Sequence, residues 1–237
     1  MTRYLAAGAI AFGFCFGAMS VPASAEAPAT VVNIAKPAAG TPILVVLPQV
    51  SLGLLTASGA TEPKDEWSQS ARKYIAASMA QNLETRQYKT ASVDVDSYED
   101  PRAVQILKLN SAVTDSIASN AGLLSKLPTK TGFDWTVGDG AVALVPAGAD
   151  SAAPAYALFV EVNGNYASAG RAAVMVGMAL LHTSVSLGGQ YVRGTLVDLK
   201  TGQVVWYNLM IVPSGTDIRT PGGAASAVGL LFKKLPL

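Results

Sequence analysis

Leu196-Val197-Asp198-Leu199-Lys200-Thr201-Gly202-Gln203-Val204-Val205-Trp206 is two β-branched, apolar runs joined by a turn. Asp198 and Thr201 supply side-chain acceptors for a tight loop, and Gly202 supplies the residue that tolerates φ > 0. The segment therefore predicts a hairpin, with strands over 190–199 and 203–211. Strands joined in this way lie antiparallel, whereas strands separated by long helices run parallel. Whether the sheet is mixed depends on what lies upstream.

Working back from the hairpin, 155–163 reads as a strand. Leu158, Val160 and Val162 stand on one face and Phe159 and Glu161 on the other. Between the two lies 172–181, almost unbroken apolar sequence ending at His182, which reads as a buried helix. The alternative is a hairpin of 172–181 with 183–191, offered to a membrane or another subunit. Further back, 42–48 is a short apolar run bracketed by prolines and reads as a buried strand.

Residues 66–86 carry Trp67, Ala71, Tyr74, Ile75, Ser78, Met79 and Leu83 at helical spacing, with Asp65 or Thr61 as candidate caps. A strand over 89–96 follows. A second helix spans 101–120, capped by Asp100, stopped by Gly122 and striped by Val104, Leu107, Val113 and Ile117. A last helix covers 223–235. The pattern is an α/β (α+β) domain: a mixed sheet with flanking helices, a β-α-β-α opening, and a C-terminal β-hairpin followed by a helix.

The amino terminus has the three parts of a secretory signal. Arg3 gives the charged region, 5–21 is almost wholly apolar, and Pro22-Ala23-Ser24-Ala25 gives the break and small-residue cleavage site. The expected division is a signal peptide over 1–25, a flexible leader over 26–41 rich in Ala, Pro and Thr, and a single domain over 42–237. Cys15 is the one cysteine, and Gly13-Phe14 before it do not make a lipid-attachment box. A mature chain beginning at Glu26 then has no thiol for a disulfide, a nucleophile or a metal.

Removing Arg3 leaves 16 basic residues against 16 acidic ones, and only 14% of the whole chain is charged. That balance gives no electrostatic reason to expect nucleic acid as a partner. A Ser-His-Asp triad has only His182 to draw on, and it stands beside Thr183 and Ser184 on one element, which points to a hydrogen-bonded structural histidine. Asp94, Asp96, Glu99 and Asp100 crowd one strand-to-helix junction and are the best basis for a carboxylate-dependent hydrolase, although Asp100 is better used as a cap. Met175 and Met178 mark an apolar region that a lipid or other small apolar ligand would suit. No phosphate-binding loop is present, and no cofactor or metal is expected.

Two features look like contact surfaces. Lys130, Phe133, Asp134 and Trp135 sit in a connector, where large aromatics serve either as a partner anchor or as a flap on the core. Arg171 precedes the apolar run, and Arg219 precedes the last helix.

The Ile-Leu-Val-Val-Leu-Pro strand at 43–48, the long helix, the Ala-Tyr-Ala-Leu-Phe-Val strand at 155–160 and the Val-Asp-x-x-Thr-Gly hairpin at 197–202 resemble, in order, the periplasmic α/β domain of the curli-secretion-channel (CsgG-like) and TolB-amino-terminal-like group. The resemblance implies a periplasmic envelope protein, and the lack of a catalytic set makes the expectation a non-catalytic one, with the carboxylate-dependent hydrolase as its alternative. The envelope protein would act through protein–protein contacts in envelope assembly or secretion, with other envelope proteins or further copies of itself as partners. The lipid-bearing cysteine usual in that group has no counterpart here, so membrane association is not indicated by a lipid box or by a mature transmembrane helix. Expected contact residues are Lys130, Phe133, Trp135, Arg171 and Arg219.

Overall fold

A computed structural model describes residues 30–120, 130, 132–146, 153–183 and 185–237. The expected signal segment, Gly122 and Ser184 lie outside the described residues. The strands are β1 (Thr30–Val32), β2 (Pro42–Val46), β3 (Gln49–Leu55), β4 (Thr61–Pro63), β5 (Lys89–Val93), β6 (Tyr156–Ala167), β7 (Gln190–Asp198) and β8 (Val204–Ile211). The helices are α1 (Asp65–Thr85), α2 (Pro101–Asn120), α3 (Ala169–Leu180) and α4 (Pro221–Phe232).

The eight strands form one mixed sheet in the order β1-β8-β7-β6-β2-β5, with β3 beside β6 and β4 beside β3. The β7–β8 hairpin is antiparallel as its turn predicts, and Asp198 Oδ1 accepts from the amides of Lys200 and Thr201 at 2.8 and 2.9 Å. Across the helical crossovers the pairings are parallel: β2 with β5 and β6, and β3 with β6.

β2 and β3 act as one bent strand along β6. Val45 faces Leu158 and Gln49 faces Glu161, so the 45–49 stretch carries one residue more than its partner. Pro48 sits in that bulge, where its missing N–H costs no ladder bond. The Leu47 amide turns outward to the Val93 carbonyl at 2.8 Å.

Each face of the sheet has its own core. Leu158, Val160 and Val162 face α1 and α4 among Ile43, Ile75, Met79, Leu83, Trp206, Val228 and Phe232. Ala157 and Phe159 face α2 and the 3-10 turn Asp139–Leu144, among Leu44, Ile106, Ile117, Leu144 and Tyr207. Arg86, just past the end of α1, donates to the carbonyls of Phe232, Leu235 and Leu237 at 2.7, 3.1 and 2.9 Å, tying the last turn of α4 to α1.

The structure departs from the sequence expectations at several places, among them the strand expected over 89–96, which ends at Val93 before a 3-10 turn over Val95–Ser97. Residues 30–41, assigned by composition to a leader, carry β1, which pairs with β8; Thr30 donates to buried Asn208 at 2.7 Å, and Asn208 donates to the Leu231 carbonyl at 2.8 Å. The β3–β4 hairpin interrupts the β-α-β-α opening. At the start of α1 the cap position is Lys64, with no capping side chain; Thr61 belongs to β4 and Asp65 is already helical. α2 keeps its predicted bounds but turns Ala103, Ile106, Asn110, Thr114 and Ile117 inward, leaving Val104, Leu107 and Val113 half-buried. The apolar run after β6 is helical, as α3, yet none of its residues is buried.

Gly194 tests the packing of the α4 side. A Cβ there would meet the Trp206 ring at 2.5 Å and Leu231 at 3.2 Å, while a Cβ on Gly222 meets nothing within 4 Å. Gly194→Ala should lower the unfolding free energy by about 1–3 kcal/mol, and Gly222→Ala should raise it by about 0.5–1 kcal/mol. Urea unfolding of both variants checks the opposite signs.

Candidate functional site: the uncovered end of the sheet

β6 is where the two halves of the sheet part. Its α2-side positions read Ala157, Phe159, Glu161, Asn163, Asn165, so this face changes from apolar to polar midway along the strand. α2 covers the apolar half, and at the boundary stands Arg193 of β7, only 4% exposed. Its Nη1 donates to Asp115 of α2 at 2.6 Å and its Nη2 to Glu161. A buried guanidinium needs such partners, because an unpaired one would carry the full cost of its lost hydration. Arg193 Nε and Asn110 Oδ1, whose residues line a cavity of about 30 Å³, have no hydrogen-bond partner among the described residues. Burial nearby pushes the Tyr207 hydroxyl up to about 12.

Beyond Arg193 the polar half of this face lies open. Strand register aligns Ser51, Asn163, Tyr191 and Ile211 in one row across β3, β6, β7 and β8. Tyr191 is 38% exposed and Ile211 75%.

α3 leaves the end of β6 at the same end of the sheet. The Ser168 hydroxyl caps it by accepting from the Arg171 amide at 3.0 Å, and Arg171 Nε donates to the Ser186 carbonyl at 2.8 Å. The helix then carries Val176, Leu180 and the following Leu181 at 59%, 78% and 69% exposure. His182 follows with φ 56°, ending the helix in the left-handed region. Its ring is exposed and makes no hydrogen bond among the described residues, so the expected hydrogen-bonded structural histidine is not found; its place is set by the backbone, whose amide donates to the Ala179 carbonyl at 3.0 Å.

Arg219 organises the opposite face of this end. It pairs with both oxygens of Asp217 at 2.8 and 2.9 Å, and its guanidinium lies 3.7 Å from the Tyr166 ring centre and 4.5 Å from that of Trp67. The Tyr166 hydroxyl donates to Asp217 at 3.0 Å. The Arg219 hydrogen bonds hold the Asp217 carboxyl down at about 2, and burial pushes the Tyr166 hydroxyl up to about 12.

The five residues expected from sequence thus fall in two places. Lys130, Phe133 and Trp135 come together at the β7–β8 turn: the Trp135 carbonyl accepts from Val204 at 2.9 Å, and Thr136 bridges to Gln203. There Lys130 Nζ lies 4.5 Å above the Trp135 ring and 2.7 Å from Asp134, while Phe133 and Trp135 are half-buried against the α2-side core. Arg171 and Arg219 stand at the far end.

The carboxylate junction is engaged in local structure. Asp94 accepts from Arg72 at 2.6 Å, and Asp100 caps α2 through the Arg102 amide at 2.9 Å. Among the described residues, no three His, Cys, Asp or Glu side chains are grouped to hold a metal ion. No helix of the described residues is long and apolar enough to cross a membrane.

The two ion pairs make different predictions. Arg193→Ala strands Glu161 beside a cavity and should cost about 3 kcal/mol. Asp115→Ala removes a carboxylate that is 67% exposed and should cost under about 1 kcal/mol; urea unfolding compares them. Asp217 binds its proton more weakly in the folded chain than the ~3.9 of a free carboxyl. Its ionised form therefore stabilises the fold above that value, and the contribution disappears as pH falls through about 2. The difference in Tm between wild type and Asp217→Asn should hold steady above pH ~5 and shrink towards pH ~2.

No protein-family model and no curated protein matches the chain. Solved structures align with most of its length at low identity. The PelC dodecamer from Paraburkholderia phytofirmans is 13% identical, covering 89% of this chain and 97% of that one, with a TM-score of 0.34. The lipoprotein GNA1162 from Neisseria meningitidis is 13% identical over 80% of this chain and 94% of that one, TM-score 0.34. The LpoB C-terminal domain from Salmonella enterica is 12% identical over 76% and 88%, TM-score 0.29.

Proposed function

We propose that the chain is a non-catalytic periplasmic envelope protein, exported by its 1–25 segment, that works by docking on envelope components and on further copies of itself. The observation that carries this reading is α3, a twelve-residue helix with no buried residue and with Val176, Leu180 and neighbouring Leu181 open to water. Soluble surfaces rarely keep large apolar side chains clustered in this way unless something covers them. The order of elements that resembles CsgG-like and TolB-amino-terminal-like envelope domains points the same way.

A second copy suits this helix better than a charged partner or a lipid surface. No Asp, Glu, Lys or Arg occurs between Arg171 and Arg193, and the Arg171 guanidinium is turned back onto Ser186. An oppositely charged surface finds nothing to pair with, and the basic polar face that holds an interfacial helix on lipid is missing. The same charge-free stretch of a second copy has no such mismatch, and a two-fold axis sets the same patch against itself. Ala169, Ala173 and Gly177 recur every four residues along α3 and allow close backbone approach.

Magnitudes fix the strength. Three large side chains from each copy, at ~1.5–3 kcal/mol each when fully covered, supply on the order of 10 kcal/mol. Association itself costs ~4–15 kcal/mol, so α3 alone supports only weak assembly. Lys130, Phe133 and Trp135 at the opposite end, with Arg171 and Arg219 at this one, are proposed as contacts to other envelope proteins.

Sedimentation equilibrium on the processed chain at roughly 1–100 μM should show reversible association, which a Val176→Asp/Leu180→Asp variant loses while its Tm stays within a few degrees. A wild type that remains monomeric throughout, or a variant that associates equally well, defeats the reading.

A further inference from the structure

We propose that the uncovered half of the sheet binds a neutral saccharide. A groove of about 260 Å³ runs over this face, and its polar lining is Ser51, Thr61, Asn163, Asn165 and Tyr191. Register puts all five on the same side of the sheet, since Thr61 faces Leu55, Ser51 faces Asn163, and Asn163 faces Tyr191. Gly53 keeps the floor low: a Cβ there would sit 2.5 Å from Thr61 Cγ2 and 2.9 Å from Asn165 Oδ1.

The chemistry of the lining selects the ligand. No residue lining the groove is charged. The charges nearby are already paired, Arg193 with Glu161 and Asp115 and Lys64 with Glu62, and Glu161 also accepts from the Asn163 side chain at 2.6 Å. An ion entering the groove would lose its hydration and find no counter-charge. A purely apolar ligand would cover the Ser51 and Thr61 hydroxyls and the Asn165 amide, none of which has a side-chain hydrogen bond within the protein among the described residues, and would give them nothing in return.

A sugar ring meets both demands. Its hydroxyls donate and accept, as does each Asn carboxamide, and its C–H face suits the exposed Tyr191 ring, which presents a flat apolar surface beside a polar tip. The volume lies below the ~300–1,000 Å³ of pockets for drug-sized ligands, so the groove accommodates one ring of a longer glycan, with neighbouring rings lying along the open rows.

The test is an NMR titration of the processed full chain with three probes: N-acetylglucosamine trisaccharide, cellotriose, and the anionic trisaccharide of galacturonic acid. At least one neutral probe should shift the Asn163 and Asn165 side-chain amides saturably, with Kd on the order of 1 mM, as expected for a shallow site. The anionic probe should bind at least about tenfold more weakly, and Tyr191→Ala and Asn165→Leu should each weaken the neutral probe about tenfold while keeping the wild-type Tm. The proposal is overturned if neither neutral sugar gives saturable shifts by about 20 mM, if the anionic sugar binds as tightly, or if both variants bind unchanged. Self-association through α3 is read in a separate experiment, so either idea can fail alone.

Discussion

Strand β6 has to satisfy three neighbours and two different faces at once. It pairs with β2 and β3 on one side and β7 on the other, so every slip of its register would move side chains between a core and solvent. One face stays apolar from Leu158 through Val162 to Tyr166 and holds α1 and α4. The other is apolar only through Phe159, and at Glu161 it becomes polar. The change of character at that one position decides where α2 stops covering the sheet, why Arg193 is buried there with two carboxylates, and why the far half of the face is open. The exposed helix α3 and the groove both lie on the far side of that boundary.

Local chemistry made much of this frame legible in the sequence. The turn at 198–202 carries its own acceptors and its glycine, and α2 is bracketed by Asp100 and Pro101, so both were readable without tertiary information. The β3–β4 hairpin was missed although Val50, Leu52 and Leu54 alternate with Ser51 and Gly53, because Pro48 looks like the end of a strand and only the bulge against β6 shows that it is a bend. β1 was missed because three residues among alanines and prolines carry no periodicity; their pairing with β8 and the Thr30–Asn208 hydrogen bond provide it.

The site was less readable than the fold. Arg193 meets Glu161 and Asp115 across 32 and 78 residues of sequence, a convergence that no local pattern reveals. Asn110 and Thr114 fell outside the apolar stripe read for α2 and are on its inward side. The burial of α3 failed for the opposite reason: hydropathy identifies an apolar segment but does not say whether the rest of the fold covers it. Sequence singled out Arg171 before the apolar run and Arg219 before the last helix, while the row Ser51, Asn163, Tyr191 and Ile211 exists only once four strands are in register.

The edges of the sheet bear on which surface is free to assemble. β5 opens with Lys89 and runs five residues, and β1 is three residues long. Short edges and a leading lysine are the features by which sheets resist adding a strand from another molecule. If copies of the chain associate as proposed, blunted edges leave the exposed helix α3, free of charge after Arg171, as the surface through which they would do so. Packing of side chains, with no backbone ladder, would then set the geometry of the assembly, and the small residues every fourth position along α3 would set how closely two copies approach.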